Sequence, residues 1–182
     1  MAIKTFTTGE VLTAADTNTY LANSGLVFVK SQTIGSGVSS VTITNAFSST
    51  YDNYLIQING GSATVDVVIS LVMGATNTGY YQTYIYTNWN NTVSADSAAG
   101  TGVRFTYAGS TGSIGHNMSC EILSPNLAKS TRVSSVAGSG TGYSGFFNGW
   151  LNNTTQYTDF TALVTSGTMT GGTITVYGYR KA

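Results

Sequence analysis

Val65-Asp66-Val67-Val68-Ile69-Ser70-Leu71-Val72-Met73 decides the fold class. Val65, Val67, Ile69, Leu71 and Met73 alternate and line one face of a long strand, because successive side chains on a strand point to opposite sides. Outward from this stretch the same period recurs. Leu26 to Ile34 leads into a turn at Gly35-Ser36-Gly37, and Val38, Val41 and Ile43 lie in the next run. Asn53 to Ile58 ends at Asn59-Gly60-Gly61, a hairpin signal. Tyr80 to Tyr86 alternates through Tyr80, Gln82, Tyr84 and Tyr86. Further strands are read at Val103–Tyr107, His116–Leu123, Thr131–Ala137, Tyr143–Leu151, Phe160–Thr165 and Thr173–Tyr179.

Roughly ten or eleven strands at this spacing, with no helices between them, make the chain an all-β, antiparallel, jelly-roll-like β-sandwich. Val67, Ile69, Phe105, Ile122, Val164, Ile174 and Val176 are the expected core. One helix is expected, near the start. Thr13 caps Ala14 to Asn23, Asp16 complements the helix N-terminus, and Gly25 supplies a left-handed stop. Ten residues are too short to hold a helix alone in water, so this arm must dock on something. The expected division is an arm at 1–25, for attachment, and a sandwich at 26–182.

Composition narrows the function. Of 182 residues only 8% are charged, against 41% hydrophobic and 12% aromatic, and seven Lys and Arg balance seven Asp and Glu. No basic surface exists to release counterions from a nucleic acid, and no polybasic patch suits an anionic membrane. No apolar run reaches the roughly 20 residues of a membrane helix, and Met1–Glu10 has no secretory apolar region. Zero net charge weakens repulsion between copies, so self-association is expected. A surface of Ser, Thr, Asn, Gly and Tyr belongs outside cells. A virion protein made in the host cytoplasm and released by lysis reconciles that surface with the lack of an export signal.

Catalytic chemistry finds little to work with. His116, the single histidine, is read as a surface or turn residue at a strand start, with no nucleophile elbow beside it. The single cysteine, Cys120, is read as a small core residue. One His and one Cys cannot close a zinc site, and the seven carboxylates form no close pair for glycan hydrolysis. Gly138 to Gly142 lacks the lysine and helix of a phosphate loop. The expectation is a chain that is not an enzyme and has no cofactor or metal.

The aromatic-amide stretch Tyr80 to Asn91 is richer. Tyr84, Tyr86, Trp89 and Asn90, with Trp150 further on, are the candidate glycan-binding residues: rings stack on the apolar face of a sugar while amides pair with hydroxyls. The competing reading is that these aromatics pack within strands and between subunits.

Three stretches carry a resemblance. Phe6-Thr7-Thr8-Gly9-Glu10-Val11-Leu12-Thr13-Ala14-Ala15-Asp16-Thr17-Asn18-Thr19-Tyr20-Leu21-Ala22-Asn23 resembles the segment G-x-x-L-T-A-A-D-x-N-x-Y-L that opens many tailed-bacteriophage tail-fibre and minor structural proteins, with Thr17 where an aliphatic residue is more usual. Phe47-Ser48-Ser49-Thr50-Tyr51-Asp52-Asn53-Tyr54-Leu55-Ile56 is similar to a motif that begins a strand in small virion β-domains of the same kind. Gly171-Gly172-Thr173-Ile174-Thr175-Val176-Tyr177-Gly178-Tyr179-Arg180-Lys181 resembles their ending. The resemblance implies a non-enzymatic virion protein, a tail fibre or minor tail protein contributing to host-surface recognition. The alternative is a capsid decoration or head-fibre protein. It also implies that Leu12, Thr13, Asp16, Asn18, Tyr20 and Leu21 contact other virion proteins and that the chain forms a homo-oligomer, a trimer in many phage fibres; the aromatic-amide residues make a host-surface glycan the candidate outer partner.

Overall fold

His116-Asn117-Met118-Ser119-Cys120-Glu121-Ile122-Leu123 alternates buried and exposed at every position, and Thr131 to Ala137 beside it does the same. Two such strands place one full row of side chains in a core and one row outside it. The computed structural model describes residues 5–17, 25–87, 90, 92–100, 105–108, 115–138 and 144–181. In chain order these form α1 (Ala14–Asp16), β1 (Leu26–Thr33), β2 (Ser40–Ile43), β3 (Asn53–Gly60), β4 (Ser62–Ala63), β5 (Val68–Met73), β6 (Tyr80–Thr87) and β7 (Val93–Gly100). Then come β8 (Phe105–Ala108), β9 (His116–Leu123), β10 (Thr131–Gly138), β11 (Ser144–Leu151), β12 (Phe160–Val164), β13 (Met169–Thr170) and β14 (Thr173–Tyr179).

An eight-stranded sheet of order β1-β14-β3-β9-β10-β11-β6-β7 packs on a four-stranded sheet of order β2-β12-β5-β8. The described strand pairings are antiparallel. The chain passes back and forth between the sheets, from β1 to β2, back to β3, out to β5, and finally from β12 to β14. This is the expected jelly-roll-like sandwich with its short helical arm.

The core lies between the sheets. Tyr54, Ile56, Ile58, Met118, Cys120, Ile122, Ile174 and Val176 come from the large sheet, and Ile43, Ile69, Leu71, Met73, Phe160, Ala162 and Val164 from the small one. Phe47 packs edge-on to Tyr54 at 4.9 Å and stacks with Phe160 at 5.6 Å, bridging the layers. A buried tyrosine needs a partner for its hydroxyl. The Tyr54 hydroxyl accepts from Ser48 N at 2.7 Å and donates to the Ser48 carbonyl at 2.9 Å. The Tyr80 hydroxyl does the same between Met73 N and the Thr76 carbonyl. Of the expected core, Ile69, Ile122, Val164, Ile174 and Val176 are buried. Val67 is half-buried against the core, and the side chain of Phe105 lies outside the described structure.

Three readings are corrected. The strand over Val65–Met73 begins only at Val68, and Val65 is exposed. Thr64 is held to Thr168 by backbone and hydroxyl bonds, so the chain is still in the small β4–β13 ribbon there and must turn before joining the four-stranded sheet. Asn59-Gly60-Gly61 makes no hairpin: β3 pairs with β14 and β9, whereas β4 pairs with β13. Gly60 and Gly61 have φ of 74° and 71°, and a Cβ on Gly61 would collide with the Gly171 carbonyl. Only glycine admits that backbone and that approach together. His116 is buried rather than on the surface, facing the core at the start of β9.

Candidate functional site

The arm is built from two short reciprocal turns. The Thr13 hydroxyl accepts from Asp16 N at 3.1 Å while Thr13 N donates to the Asp16 carboxylate at 3.2 Å, a complete capping box. One turn earlier Thr7 N donates to the Glu10 carboxylate at 3.1 Å, and Glu10 N donates to the Thr7 carbonyl at 3.0 Å. These bonds are all local. No residue of α1 is buried, Val11 is 77% exposed and Leu12 is 50% exposed. The expected Thr13 cap is therefore present, on a segment whose apolar side chains contribute nothing to the sandwich core. Asn18, Tyr20 and Leu21 lie outside the described residues. Gly25 has the left-handed φ of 80°, and its carbonyl accepts from Arg180 N where the arm meets the sandwich.

The candidate glycan residues divide between two faces. Tyr84 and Tyr86 lie on the inward side of β6, half-buried and stacked at 5.9 Å, with Phe147 of β11 at 5.8 Å from Tyr84. The Tyr84 hydroxyl donates to Asp96 at 3.2 Å. Burial first, then that bond and the nearby carboxylate charge, raises its pKa above the ordinary tyrosine value. Asn90 is exposed beyond the end of β6, and Trp89 lies outside the described residues. Trp150 points the other way. It is 40% exposed on the outer face of the large sheet, opposite Tyr81 in the β6–β11 register, with the two rings 5.2 Å apart and 11° from parallel. Arg132 of β10 pairs with Trp150 on its other flank. Residue 150 thus belongs with Tyr81 and not with Tyr84 and Tyr86. Parity along Tyr80–Tyr86 separates Tyr81 from Tyr84, but which parity faces Trp150 depends on register.

The outer face of the large sheet is unusually apolar. Of thirteen exposed large hydrophobic side chains among the described residues, eight lie on it, with Phe28 60% and Phe146 58% exposed. A signal for this was present in Leu26-Val27-Phe28-Val29 and in Phe146-Phe147, where apolar residues are consecutive and so occupy both sides of a strand.

Of the remaining reactive groups, Cys120 and His116 are held inside and Tyr179 lies on the outer face of the large sheet. Burial pushes the Cys120 thiol well above its ordinary pKa, with the charge of Glu121 adding to it. Burial lowers the His116 pKa, opposed by a hydrogen bond with the Ser62 backbone. The Tyr179 hydroxyl donates to Glu121 at 2.6 Å, and that bond, with burial and the carboxylate charge, pushes its pKa up to about 12. Among the described residues no three His, Cys, Asp or Glu side chains converge to hold a metal ion, and no helix is long and apolar enough to cross a membrane. No family model, no curated protein and no solved structure matches the chain.

Proposed function

We propose that this chain is a non-enzymatic structural component of a bacteriophage virion, a tail fibre or minor tail protein that contributes to host-surface recognition. One observation carries the reading: the N-terminal arm is internally capped, yet it leaves Val11 and Leu12 in solvent. Apolar side chains on a locally ordered segment outside the core are what a docking arm requires. The resemblance of that segment to phage virion proteins supplies the partner, another protein of the particle. The charge-poor sandwich is the part that projects outward. It offers the stacked rings of Tyr84 and Tyr86 on β6 and, beyond the end of that strand, the exposed Asn90.

Immunogold electron microscopy on purified virions of the phage that encodes the chain tests this. Label at the tail tip or baseplate is the expected result. Label spread over the head replaces it with the decoration or head-fibre reading, and virions without label remove both. Binding of the purified protein to host cells tests recognition separately. Tyr86→Ala is expected to reduce binding, and unchanged binding removes the aromatic contact.

A further inference from the structure

We propose that the outer face of the eight-stranded sheet is the site at which two copies of this chain pack face to face about a twofold axis. An antiparallel sheet with one free face normally turns polar side chains to water. Here that face carries most of the exposed large apolar side chains. They form two flanks. Phe28 and Tyr177 pack edge-on at 6.2 Å on one side. Val136, Phe146 and Ile85 lie directly across from one another in register on the other side, with Trp150 on the same flank. The central strands β9 and β10 turn Ser119, Glu121, Arg132 and Ser134 outward, with Leu123 and Val136 as their apolar outward residues.

Size and charge point to a second copy as the occupant. Eight strands about 4.8 Å apart, each about eight residues at 3.3 Å, cover roughly 900 Å², against about 800 Å² per side for a standard stable interface. The net charge is zero, so two copies do not repel. Glu121 on β9 and Arg132 on β10 carry opposite charges on this face. The Arg132 guanidinium has no ion-pair partner among the described residues. A twofold axis parallel to the strands and between β9 and β10 lays β9 of one copy over β10 of the other. The β9–β10 register then sets Arg132 of each copy over Leu123 of the other, two residues along β9 from Glu121 and within reach of its carboxylate through the long arginine side chain, and each flank covers the opposite flank, the self-complementarity an isologous contact needs. Glu121 already accepts from Tyr179 and keeps acceptor sites for a guanidinium. The dimer goes beyond the virion reading and does not depend on it. It makes Tyr81 and Trp150 a subunit contact and leaves the hairpin end free for sugar.

Sedimentation of the full chain at micromolar concentrations is the test. The expected species is a dimer of the 19.0 kDa chain. Phe146→Asp should give a monomer with unchanged far-ultraviolet circular dichroism. Arg132→Glu and Glu121→Arg, each alone, should weaken the dimer about tenfold or more, and the two together should restore most of the loss. A wild-type monomer, a trimer, or a dimer whose charge-swapped double variant is no tighter than either single variant would overturn the proposal.

Discussion

His116 reports on the core with unusual clarity because the chain has no second histidine. Its imidazole faces inward at the start of β9, and burial lowers its pKa below the ordinary 6.5. A base with a lowered folded pKa favours the fold above the unfolded value. Its contribution is lost as pH falls from about 6.5 through the folded value, since the unfolded chain takes the proton first. The ring-proton resonances of this one histidine should therefore titrate below pH 6.5 in an NMR experiment, and a midpoint at or above 6.5 would place the ring in water. Tyr179 is the opposite case. Its hydroxyl is held protonated by Glu121, with a pKa pushed up to about 12 against an ordinary value of 10.0. The stabilisation from that bond is fully present below pH 10 and is lost as pH rises through about 12. The difference in tyrosinate absorbance between the wild type and Tyr179→Phe isolates this one group. Glu121→Gln should bring its midpoint down towards 10, because the carboxylate charge is removed while an acceptor stays in place.

At the scale of elements, the bounds of β9 and β14 are legible to the residue, because alternation between turn signals fixes both ends, although His116, which shares its parity with the core residue Ile122, is misread as a surface residue. The Thr13 cap was legible too, since Asp16 three residues on completes a reciprocal pair. β7 was not: Val93-Ser94-Ala95-Asp96-Ser97-Ala98-Ala99-Gly100 has no apolar alternation, and what makes it a strand is its full pairing with β6 at the sheet edge. The two-residue strands β4 and β13 are too short for any period to mark. They exist because glycines at 60–61 and 171–172 allow two backbones to cross closely. That crossing is also why the hairpin reading failed: the Asn-Gly signal specifies a tight turn but not which strand follows it into the same sheet. Gly61→Ala must strain a φ of 71° and push against the Gly171 carbonyl, at a cost of about 1–3 kcal/mol. Chemical denaturation should show the midpoint shifted down with an unchanged slope. An unshifted midpoint would mean the crossing relaxes freely. The aromatic site was half legible for the same reason. The sequence marks Tyr84 and Trp150 as strand aromatics, but only the register of β6 against β11 shows that Trp150 faces Tyr81.

The whole molecule separates what holds the fold from what the fold presents. Core burial comes from the two sheets and the Phe47 loop, and it takes nothing from residues 5–17. The capping box and the Thr7–Glu10 turn hold the arm's local shape by bonds that do not reach the sandwich. Two independent energy terms follow. Capping bonds are worth about 1 kcal/mol to a helix and cannot add to the stability of a core they do not touch. Thr13→Ala and Asp16→Ala should therefore leave the melting temperature of the sandwich unchanged. Amide exchange in the arm should rise several-fold, the counterpart of about 1 kcal/mol. A chain lacking residues 1–17 should also melt as the full chain does, because none of residues 5–17 places a side chain in the core and Gly25 keeps the Arg180 bond at the sheet edge. The same truncated chain should fail to enter particles when it replaces the full chain during phage growth, while still binding host cells as purified protein. A large fall in melting temperature would show that the arm folds back onto the sandwich. Normal incorporation would move the attachment surface onto the sandwich itself and leave Val11 and Leu12 without a role.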